Sequence, residues 1–384
     1  MNKFNGDRLK NARLYRSLTV EELAENIGVS KQMVSQYEVE KTLPSFEKLL
    51  SIADSLGFPY NYFLQPDNFK ITTGSTYFRS LLKTHKKYRV SQTIKMEHLA
   101  RIYSILKEYI EFPMLNLPAL DEHITPKGAA QKLRSFWDLG KRPISDIISI
   151  LEENGIIVTM FATPTDDIDA FSHYVSINND DIYLIALSNN KDTAARTHFD
   201  VAHELGHVLL HGWSESVEAL TREQFKEKEK EANEFAAEFL LPEETFKRDA
   251  SKYPNKLDYY VELKRKWKVS IAAMIYKACD LELISQYQYQ YLWKIINKKG
   301  WRINEPLDNI LKTQEPSLLK TAIEILLEND VFTPSEFLQE LDEQGLAMTR
   351  EEIEDLLCLP QGMLINNVQN SNNIISLKEF RRDK

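Results

Sequence analysis

The stretch THFDVAHELGHVLLH, residues 197–211, decides how this chain of 384 residues is interpreted. Residues four apart lie on one face of a helix, so His203 and His207 are predicted to reach a single metal ion. Glu204, one position further round, faces the same cavity, where its carboxylate can serve as the base for a water molecule. This HExxH pattern is typical of zinc peptidases and predicts Zn2+ as the cofactor, with two histidines on an ordinary helix as the alternative.

Distance excludes His211 as the third ligand. A catalytic zinc usually takes three protein ligands and leaves a fourth position for water. A straight helix would separate His211 from His203 by about 12 Å along its axis, too far for two bonds of about 2 Å to one ion. Gly212 is predicted to end the helix, which leaves His211 as a last-turn residue near the negative helix end or as a contact to the substrate.

A second helix is predicted between Glu227 and Pro242, and it supplies the third ligand. Its apolar residues recur at helical spacing: Ala232, Phe235, Ala236, Phe239 and Leu240. At about 100° per residue, Glu229 borders this apolar face, whereas Glu231 lies well off it. We therefore expect Glu229 to bind the metal, and Asn233, one turn later, to orient a ligand by hydrogen bonding.

The two helical runs, residues 197–211 and 229–242, resemble the two signatures of the ImmA/IrrE metallopeptidase family. The similarity covers most of the chain to about residue 306, and one departure is His198-Phe199-Asp200, where the family tends to have an apolar or Thr-containing segment. The resemblance implies a zincin-like domain with gluzincin-type zinc endopeptidase activity, and the predicted ligands and base match the family's positions. Known substrates of the family are repressor proteins, and some members are metal-dependent regulators of stress genes.

Residues 1–65 are predicted to form a separate, all-helical domain. Thr19 caps the second helix, and Gly28-Val29-Ser30 supplies the turn before the third, as in a helix-turn-helix. The segment resembles the XRE repressor family along its whole length. Polar residues near the start of the third helix are expected to contact double-stranded operator DNA: Lys31, Gln32, Ser35 and Gln36. Because such domains usually act as dimers on two-fold sites, a homodimer is expected, with protein binding by a degenerate domain as the alternative.

Overall charge gives the DNA-binding prediction little support. The chain carries a formal net charge of −9 and has a pI near 5.6, whereas nucleic-acid-binding domains are usually basic. Residues 66–118 are predicted as a basic helical linker, whose cationic residues are Arg79, Lys83, Lys86, Lys87, Arg89, Lys95 and Arg101. This linker either contacts DNA phosphates or spaces a dimer, or it is a solvated amphipathic helix.

Residues 119–305 are predicted to form the metallopeptidase domain. Three short β segments predict a small antiparallel sheet beside the metal cleft, at residues 156–161, 171–177 and 183–186. His173 and Tyr174 lie in the second segment, where either residue can stabilise an oxyanion or simply pack within the strand. The edge of such a sheet can hold an extended substrate by backbone hydrogen bonds.

These features predict a predominantly helical α+β protein that ends in a helical C-terminal domain, residues 306–384. No apolar run of about eighteen residues occurs, and residues 1–6 lack the apolar core of a signal peptide, so a cytoplasmic protein without membrane contact is expected. The two cysteines, Cys279 and Cys358, are far apart and predict neither a disulfide framework nor a thiolate zinc site.

The predicted function is that of a DNA-binding transcriptional regulator fused to a zinc endopeptidase, whose activity can be latent until a lid moves. A repressor-like regulatory protein is the expected substrate, and this expectation rests on the resemblance alone. Two alternatives stay open. The protein can be a metal- or ligand-sensing transcription factor without proteolysis, or an antitoxin-like protein that binds a partner through its C-terminal helices.

Overall fold

The structure, a computed structural model, describes residues 3–66, 71–78, 85–162, 169–189, 193–213, 219–312 and 314–366. Within these ranges the chain forms sixteen α-helices, one 3-10 helix and one four-stranded sheet. The predicted α+β class with mostly helical content is therefore confirmed. Every helix in the described ranges is too short or too polar to span a bilayer.

The amino-terminal domain is held together by helix caps and a largely buried ion pair. It consists of four α-helices and the 3-10 helix: α1 (Gly6–Tyr15), α2 (Val20–Asn26), α3 (Lys31–Glu38), α4 (Phe46–Leu56) and Tyr60–Leu64. Thr19 caps α2 by accepting from the Glu22 backbone N–H, and the Glu22 carboxylate accepts from the Thr19 N–H in return. Arg13 on α1 donates two hydrogen bonds to Glu38 on α3, at 2.5 and 3.1 Å. This pair fixes α3 against the rest of the domain.

The sheet is mixed and has the strand order β1-β3-β4-β2. Its strands are β1 (Ile71–Phe78), β2 (Ile157–Phe161), β3 (Ala170–Ile177) and β4 (Asp180–Ser188). Asn178 and Asn179 adopt φ angles of 53° and 73° and form the tight turn that makes β3 and β4 an antiparallel hairpin. β1 also runs antiparallel to β3, whereas β2 and β4 are parallel.

Two features of this sheet differ from the prediction, although the three predicted β segments are confirmed as β2, β3 and β4. The sheet is not purely antiparallel, because β4 inserts between the consecutive strands β2 and β3. The strand β1 forms within residues predicted as a helical linker, since its sequence ITTGSTYF is rich in β-branched and aromatic residues. Arg79 and Lys83 of the predicted basic cluster lie outside the described residues.

Helix α5 (Lys86–Leu106) is a core helix and not a solvated linker. Its fully buried residues include Met96, Leu99, Ala100 and Ile102. Lys95, one of the predicted basic residues, packs its ammonium 5.3 Å from the centre of the Tyr15 ring, and burial lowers the pKa of this lysine. The apolar content of α5 therefore outweighs its charge in deciding where the helix lies.

Alternating residues of the sheet face two separate hydrophobic cores. One face, named the site face, packs on α8 (Ala194–Leu210). Apolar residues of the site face include Val158, Ala170, Ile185 and Leu187. The opposite face, named the module face, packs on α5. Its apolar residues include Phe171, Val175, Leu184 and Ala186.

The core on the site face is centred on α8 and its neighbour α9 (Arg222–Leu240). Six further helices pack on this side: α6 (Pro126–Phe136), α7 (Ile147–Glu153), α10 (Glu243–Ala250), α11 (Leu257–Trp267), α12 (Ile271–Asp280) and α13 (Gln286–Lys298). The indole N–H of the buried Trp267 donates to Asp249, which ties α11 to α10. Lys277 on α12 forms a buried ion pair with Glu238 on α9 at 2.9 Å. The second contact ties α9 to α12.

The core on the module face joins the amino-terminal domain to the last three helices, α14 (Leu318–Glu328), α15 (Pro334–Glu343) and α16 (Arg350–Leu356). Glu352 on α16 accepts a hydrogen bond from Tyr15 and pairs with Arg16 at 2.7 Å. Asp342 on α15 accepts from the side-chain amide of Asn61 at 2.8 Å. The C-terminal helices therefore contact the amino-terminal domain, on the opposite side of the sheet from α8.

Candidate metal centre

A glycine allows the two central helices of the site to approach closely. A β-carbon at Gly206 of α8 would meet Cδ1 of Phe235 at 3.1 Å and Cα of Ala232 at 3.2 Å, both on α9. A side chain at this position would therefore require the Phe235 ring and the α9 backbone to give way. The close approach brings polar side chains one turn away on α8 within reach of those on α9.

His203, His207 and Glu229 meet beside this helix crossing. The Nε2 atoms of the two imidazoles lie 3.1 Å apart. The Glu229 carboxylate oxygens lie 3.5 Å from Nε2 of His203 and 3.2 Å from Nε2 of His207. One ligand atom from each residue lies within 4.8 Å of the others, and both imidazoles are fully buried. The structure thus brings together the three side chains predicted as ligands.

This donor set suits a divalent cation. Two imidazole nitrogens and a carboxylate converge on one small space, which is the ligand set of zinc sites that keep a position open. Burial raises the pKa of Glu229, but hydrogen bonds and charge from His203 and His207 outweigh that effect and lower the pKa to about 2. The carboxylate is therefore ionised at neutral pH and can balance the charge of a cation. Manganese and iron accept the same ligand types as zinc.

Glu204 lies beside the three converging side chains, on the side of α8 that faces the sheet. Its Oε2 atom accepts a 2.6 Å hydrogen bond from the hydroxyl of Ser172 on β3, and both side chains are fully buried. Ser172 projects from the site face because strand residues alternate between the two faces. Sequence analysis missed this contact, since no residue spacing links a strand to a helix that follows it.

His211 connects His207 to α9. The Nδ1 atoms of His207 and His211 lie 2.8 Å apart, and Nε2 of His211 lies 3.0 Å from Oε2 of Glu231. The ring of His211 is buried between these two side chains, as expected of a last-turn residue, and the alternative contact with a substrate is not seen in this structure. In the sequence analysis, the distance of His211 from His203 excluded His211 as a metal ligand, and the position of Glu231 off the apolar face of α9 excluded Glu231. Neither argument bears on a contact made through another side chain, and so the pair was missed.

Asn233 contacts Glu229 through the backbone and not through the carboxylate. Its side-chain amide donates to the Glu229 carbonyl oxygen at 2.6 Å. Residues four apart are neighbours on a helix, so this short side chain folds back onto the preceding turn. The predicted orientation of a ligand carboxylate by Asn233 is therefore not seen.

The two predicted oxyanion residues are separated by the alternation of β3. His173 lies on the module face, where its Nδ1 atom is 2.7 Å from the Thr76 hydroxyl and burial lowers its pKa to about 3. It therefore cannot contact a substrate at the metal centre. Tyr174 lies on the site face, but its hydroxyl donates to Asp181 at 2.6 Å and its ring packs 6.1 Å from that of Trp213. Neither residue is placed as an oxyanion donor.

The predicted DNA contacts lie on α3. Lys31, Gln32 and Ser35 are exposed, whereas Gln36 is half-buried and accepts from the Thr42 hydroxyl at 3.2 Å. Val34 of the same helix points into the domain core. The helix therefore presents a polar surface of the kind that enters the major groove of DNA.

Two protein-family models match parts of the chain. Residues 152–278 match the model of a peptidase family described as the IrrE N-terminal-like domain, and residues 9–63 match the model described as helix-turn-helix. The chain thus combines a helix-turn-helix domain with an IrrE-like peptidase domain. The first match includes α8, α9 and β3, which carry every side chain of the candidate metal centre. No curated protein matches the chain.

Proposed function

We infer that this protein is a DNA-binding transcriptional regulator whose IrrE-like domain is a metal-dependent endopeptidase. The observation that carries this inference is the convergence of His203, His207 and Glu229 next to the Glu204–Ser172 pair. Together these residues supply a cation site and a general base, as hydrolysis of a peptide bond requires. The match to a peptidase family supports the same reading.

The chemistry divides between the three ligand side chains and Glu204. A divalent ion held by His203, His207 and Glu229 supplies a Lewis acid that polarises a peptide carbonyl and makes a nearby water more acidic. Glu204 takes the proton of the attacking water on its carboxylate and returns that proton to the nitrogen of the leaving amine. The Ser172 hydroxyl holds one oxygen of this carboxylate, so that the base keeps its position through both transfers. Zinc is the preferred ion because two histidines and one glutamate, with a fourth position left for water, are a usual ligand set of catalytic zinc.

The substrate is proposed to be a regulatory protein of the repressor type. The resemblance to ImmA/IrrE proteins supports this choice, and so does the presence of a repressor-like domain in the same chain. Binding to operator DNA is assigned to the exposed residues of α3, with two chains on a two-fold site. A dimer is needed because a chain with a net charge of −9 gains little from non-specific attraction to phosphates.

The decisive experiment substitutes the base and leaves the ligands intact. The Glu204→Gln variant is expected to keep bound metal and to lose about 10^2- to 10^4-fold in kcat on a proteome-derived peptide library supplied with Zn2+. Metal content is measured by mass spectrometry of the purified proteins. Glu227→Gln is the matched control, because it removes one exposed carboxylate from α9 at a site that pairs with Lys230. If Glu204→Gln cleaves peptides as fast as the wild type does, Glu204 is not the general base.

A second function is favoured by the burial of the site. His203, Glu204 and His207 are fully shielded from solvent and the Glu229 side chain is 16% exposed, so proteolysis requires the site to open further than in this conformation. A metal-sensing regulator without proteolysis fits such a closed site. Promoter output in cells separates the two functions, since regulation that is unchanged in Glu204→Gln but lost in His207→Ala indicates sensing. Regulation lost in both variants indicates proteolysis.

A further inference from the structure

The ring of His207 is tied to α9 through both of its nitrogens. Nε2 lies 3.2 Å from Oε1 of Glu229. Nδ1 lies 2.8 Å from Nδ1 of His211, whose Nε2 lies 3.0 Å from Oε2 of Glu231. Glu229 and Glu231 point about 200° apart round their helix, so they cannot both contact one ring directly. The His211 ring spans the gap between His207 and Glu231.

The positions of the hydrogens in this chain follow from its acceptors. If Nε2 of His207 offers a lone pair to a cation, its proton must sit on Nδ1. That proton is donated to Nδ1 of His211, which must then carry its own proton on Nε2. The second proton is donated to the Glu231 carboxylate, which is an acceptor only. In this arrangement both imidazoles are neutral, and each carries a single proton that is directed along the chain towards Glu231.

We propose that His211 and Glu231 are positioning residues, which hold His207 in the tautomer and ring orientation that bind a divalent cation. A hydrogen-bonded carboxylate makes a ligand imidazole more basic and fixes its orientation, and here the effect passes through one intervening ring. This proposal rests on the metal-binding part of the proposed function and adds two residues to it. It is independent of the substrate and of whether the protein cleaves anything.

A purely structural role for the same residues makes a different prediction. His211 ends α8, and its backbone N–H bonds to the His207 carbonyl at 3.2 Å, so a substitution there can loosen the helix end. A loosened helix would lower the stability of the metal-free protein. A lost positioning contact instead lowers metal affinity and leaves the metal-free protein nearly as stable as before. Affinity and stability must therefore be measured on the same variants.

The test is Zn2+ affinity of the purified full-length protein, measured by competition with a chromophoric chelator. His211→Phe keeps a ring of similar size but cannot hydrogen-bond, and Glu231→Gln replaces the charged acceptor with an amide. Each is expected to weaken Zn2+ binding about 10- to 100-fold, the usual cost of losing an outer partner of a metal ligand. Glu227→Gln, on the same helix, is expected to bind as the wild type does.

The double variant gives the sharpest result. Because Glu231 acts only through His211, the pair His211→Phe with Glu231→Gln is expected to lose no more affinity than His211→Phe alone. If the losses of affinity in the two single variants add in the double variant, Glu231 does not act through His211. If Glu227→Gln loses as much affinity as Glu231→Gln, the effect comes from the loss of negative charge on α9, and the proposal is wrong. Wild-type affinity in both single variants would overturn it as well.

A spectroscopic measurement on the wild type tests the same proposal if the variants fold poorly. In the zinc-loaded wild type, nitrogen-15 NMR of the imidazoles is expected to show His207 protonated on Nδ1 and His211 protonated on Nε2. The opposite tautomer of His211 would rule out the relay. If the wild type binds no divalent cation, the metal centre itself is wrong. If it binds one and the variants bind equally well, only the relay is wrong.

Discussion

The two faces of the sheet bury polar side chains in different ways. On the site face, Ser172 reaches a carboxylate, and imidazoles of α8 reach carboxylates of α9. On the module side, His173 bonds to the Thr76 hydroxyl, and His98 of α5 donates to the Ile94 carbonyl at 2.8 Å. Burial lowers the pKa of His98 and of His173 to about 3, so both rings are neutral.

This difference shows that burial of a histidine does not by itself identify a functional site. A neutral imidazole in a core needs only one neutral partner to satisfy its N–H group. An imidazole beside carboxylates lies in a field that favours a bound cation, while burial still keeps the ring itself neutral: it lowers the pKa of His211 to about 2. The partner therefore distinguishes a packing histidine from a candidate ligand.

The largest expected effect contrasts one histidine from each side of the sheet. His207→Ala should lose more Zn2+ affinity than the roughly 10- to 100-fold typical of an outer partner, and cleavage should be lost with it. His98→Phe should bind Zn2+ as the wild type does, since α5 lies on the other face. Chelator competition measures both variants. Equal losses in the two would show that the faces are not independent.

Sequence predicts those parts of the site whose residues lie within one helix, and misses contacts between elements that are distant in the chain. His203, Glu204 and His207 lie within one helix, so helical periodicity fixes their relative placement. Glu229 was found because the apolar stripe of α9 orients the whole helix. Ser172 was not found, because its contact depends on how a strand lies across α8, and no local pattern encodes that.

Helix α5 and strand β1 differ from their predictions because contacts between residues distant in sequence decide where they lie. The basic residues of α5 predicted a linker exposed to solvent or DNA, yet its apolar residues place it between the sheet and the amino-terminal domain. Strand β1 lies within residues 66–118, which were predicted as a helical linker because of their basic residues, although the composition of β1 favours a strand. His173 and Tyr174 were both given as possible oxyanion donors, because the sequence predicts their strand but not which of its faces lies towards the metal centre. A strand's face depends on what packs against it, which a single sequence does not contain.

Ser172 and His173 are adjacent on β3 but lie on opposite faces of the sheet. Ser172→Ala should lower kcat about 10- to 100-fold, because a hydrogen bond to a charged group is worth about 1.5–3 kcal/mol, and Zn2+ affinity should be unchanged. His173→Asn can keep a bond to Thr76 and should leave kcat unchanged. Steady-state kinetics on the same peptide substrate compares them. A similar drop in both would mean that the effect comes from damage to the strand.

Acid should destabilise the module side through His98. Its pKa falls from 6.5 to about 3 on folding, mainly through burial, with the nearby Arg101 and Arg8 adding to the effect. The folded ring stays neutral while the unfolded one takes up a proton below pH 6.5, so the stability it contributes is full above pH 6.5 and is lost as the pH falls towards 3. At pH 5 the loss is about 2 kcal/mol.

Urea denaturation at pH 7 and pH 5, followed by circular dichroism, measures this loss. His98→Phe keeps the ring contacts with Tyr15 and Tyr62 but cannot take up a proton. Between pH 7 and pH 5 it should therefore lose about 2 kcal/mol less stability than the wild type. An identical pH dependence in the two proteins would mean that His98 is protonated equally in the folded and unfolded states.

The smallest effect is expected where the module side does use a carboxylate. Glu352 accepts from Tyr15 and pairs with Arg16, and burial together with this carboxylate raises the pKa of Tyr15 well above its usual value. Since the Arg16 side chain is 30% exposed, solvent screens the pair, and Glu352→Gln should cost about 1 kcal/mol in urea denaturation. Glu351→Gln, with a side chain 64% exposed, is the control and should cost less. Zn2+ affinity should change in neither, because Glu352 joins a C-terminal helix to the amino-terminal domain, across the sheet from the metal centre. A change in Zn2+ affinity in Glu352→Gln alone would instead show that the amino-terminal domain and the metal centre are coupled through the sheet.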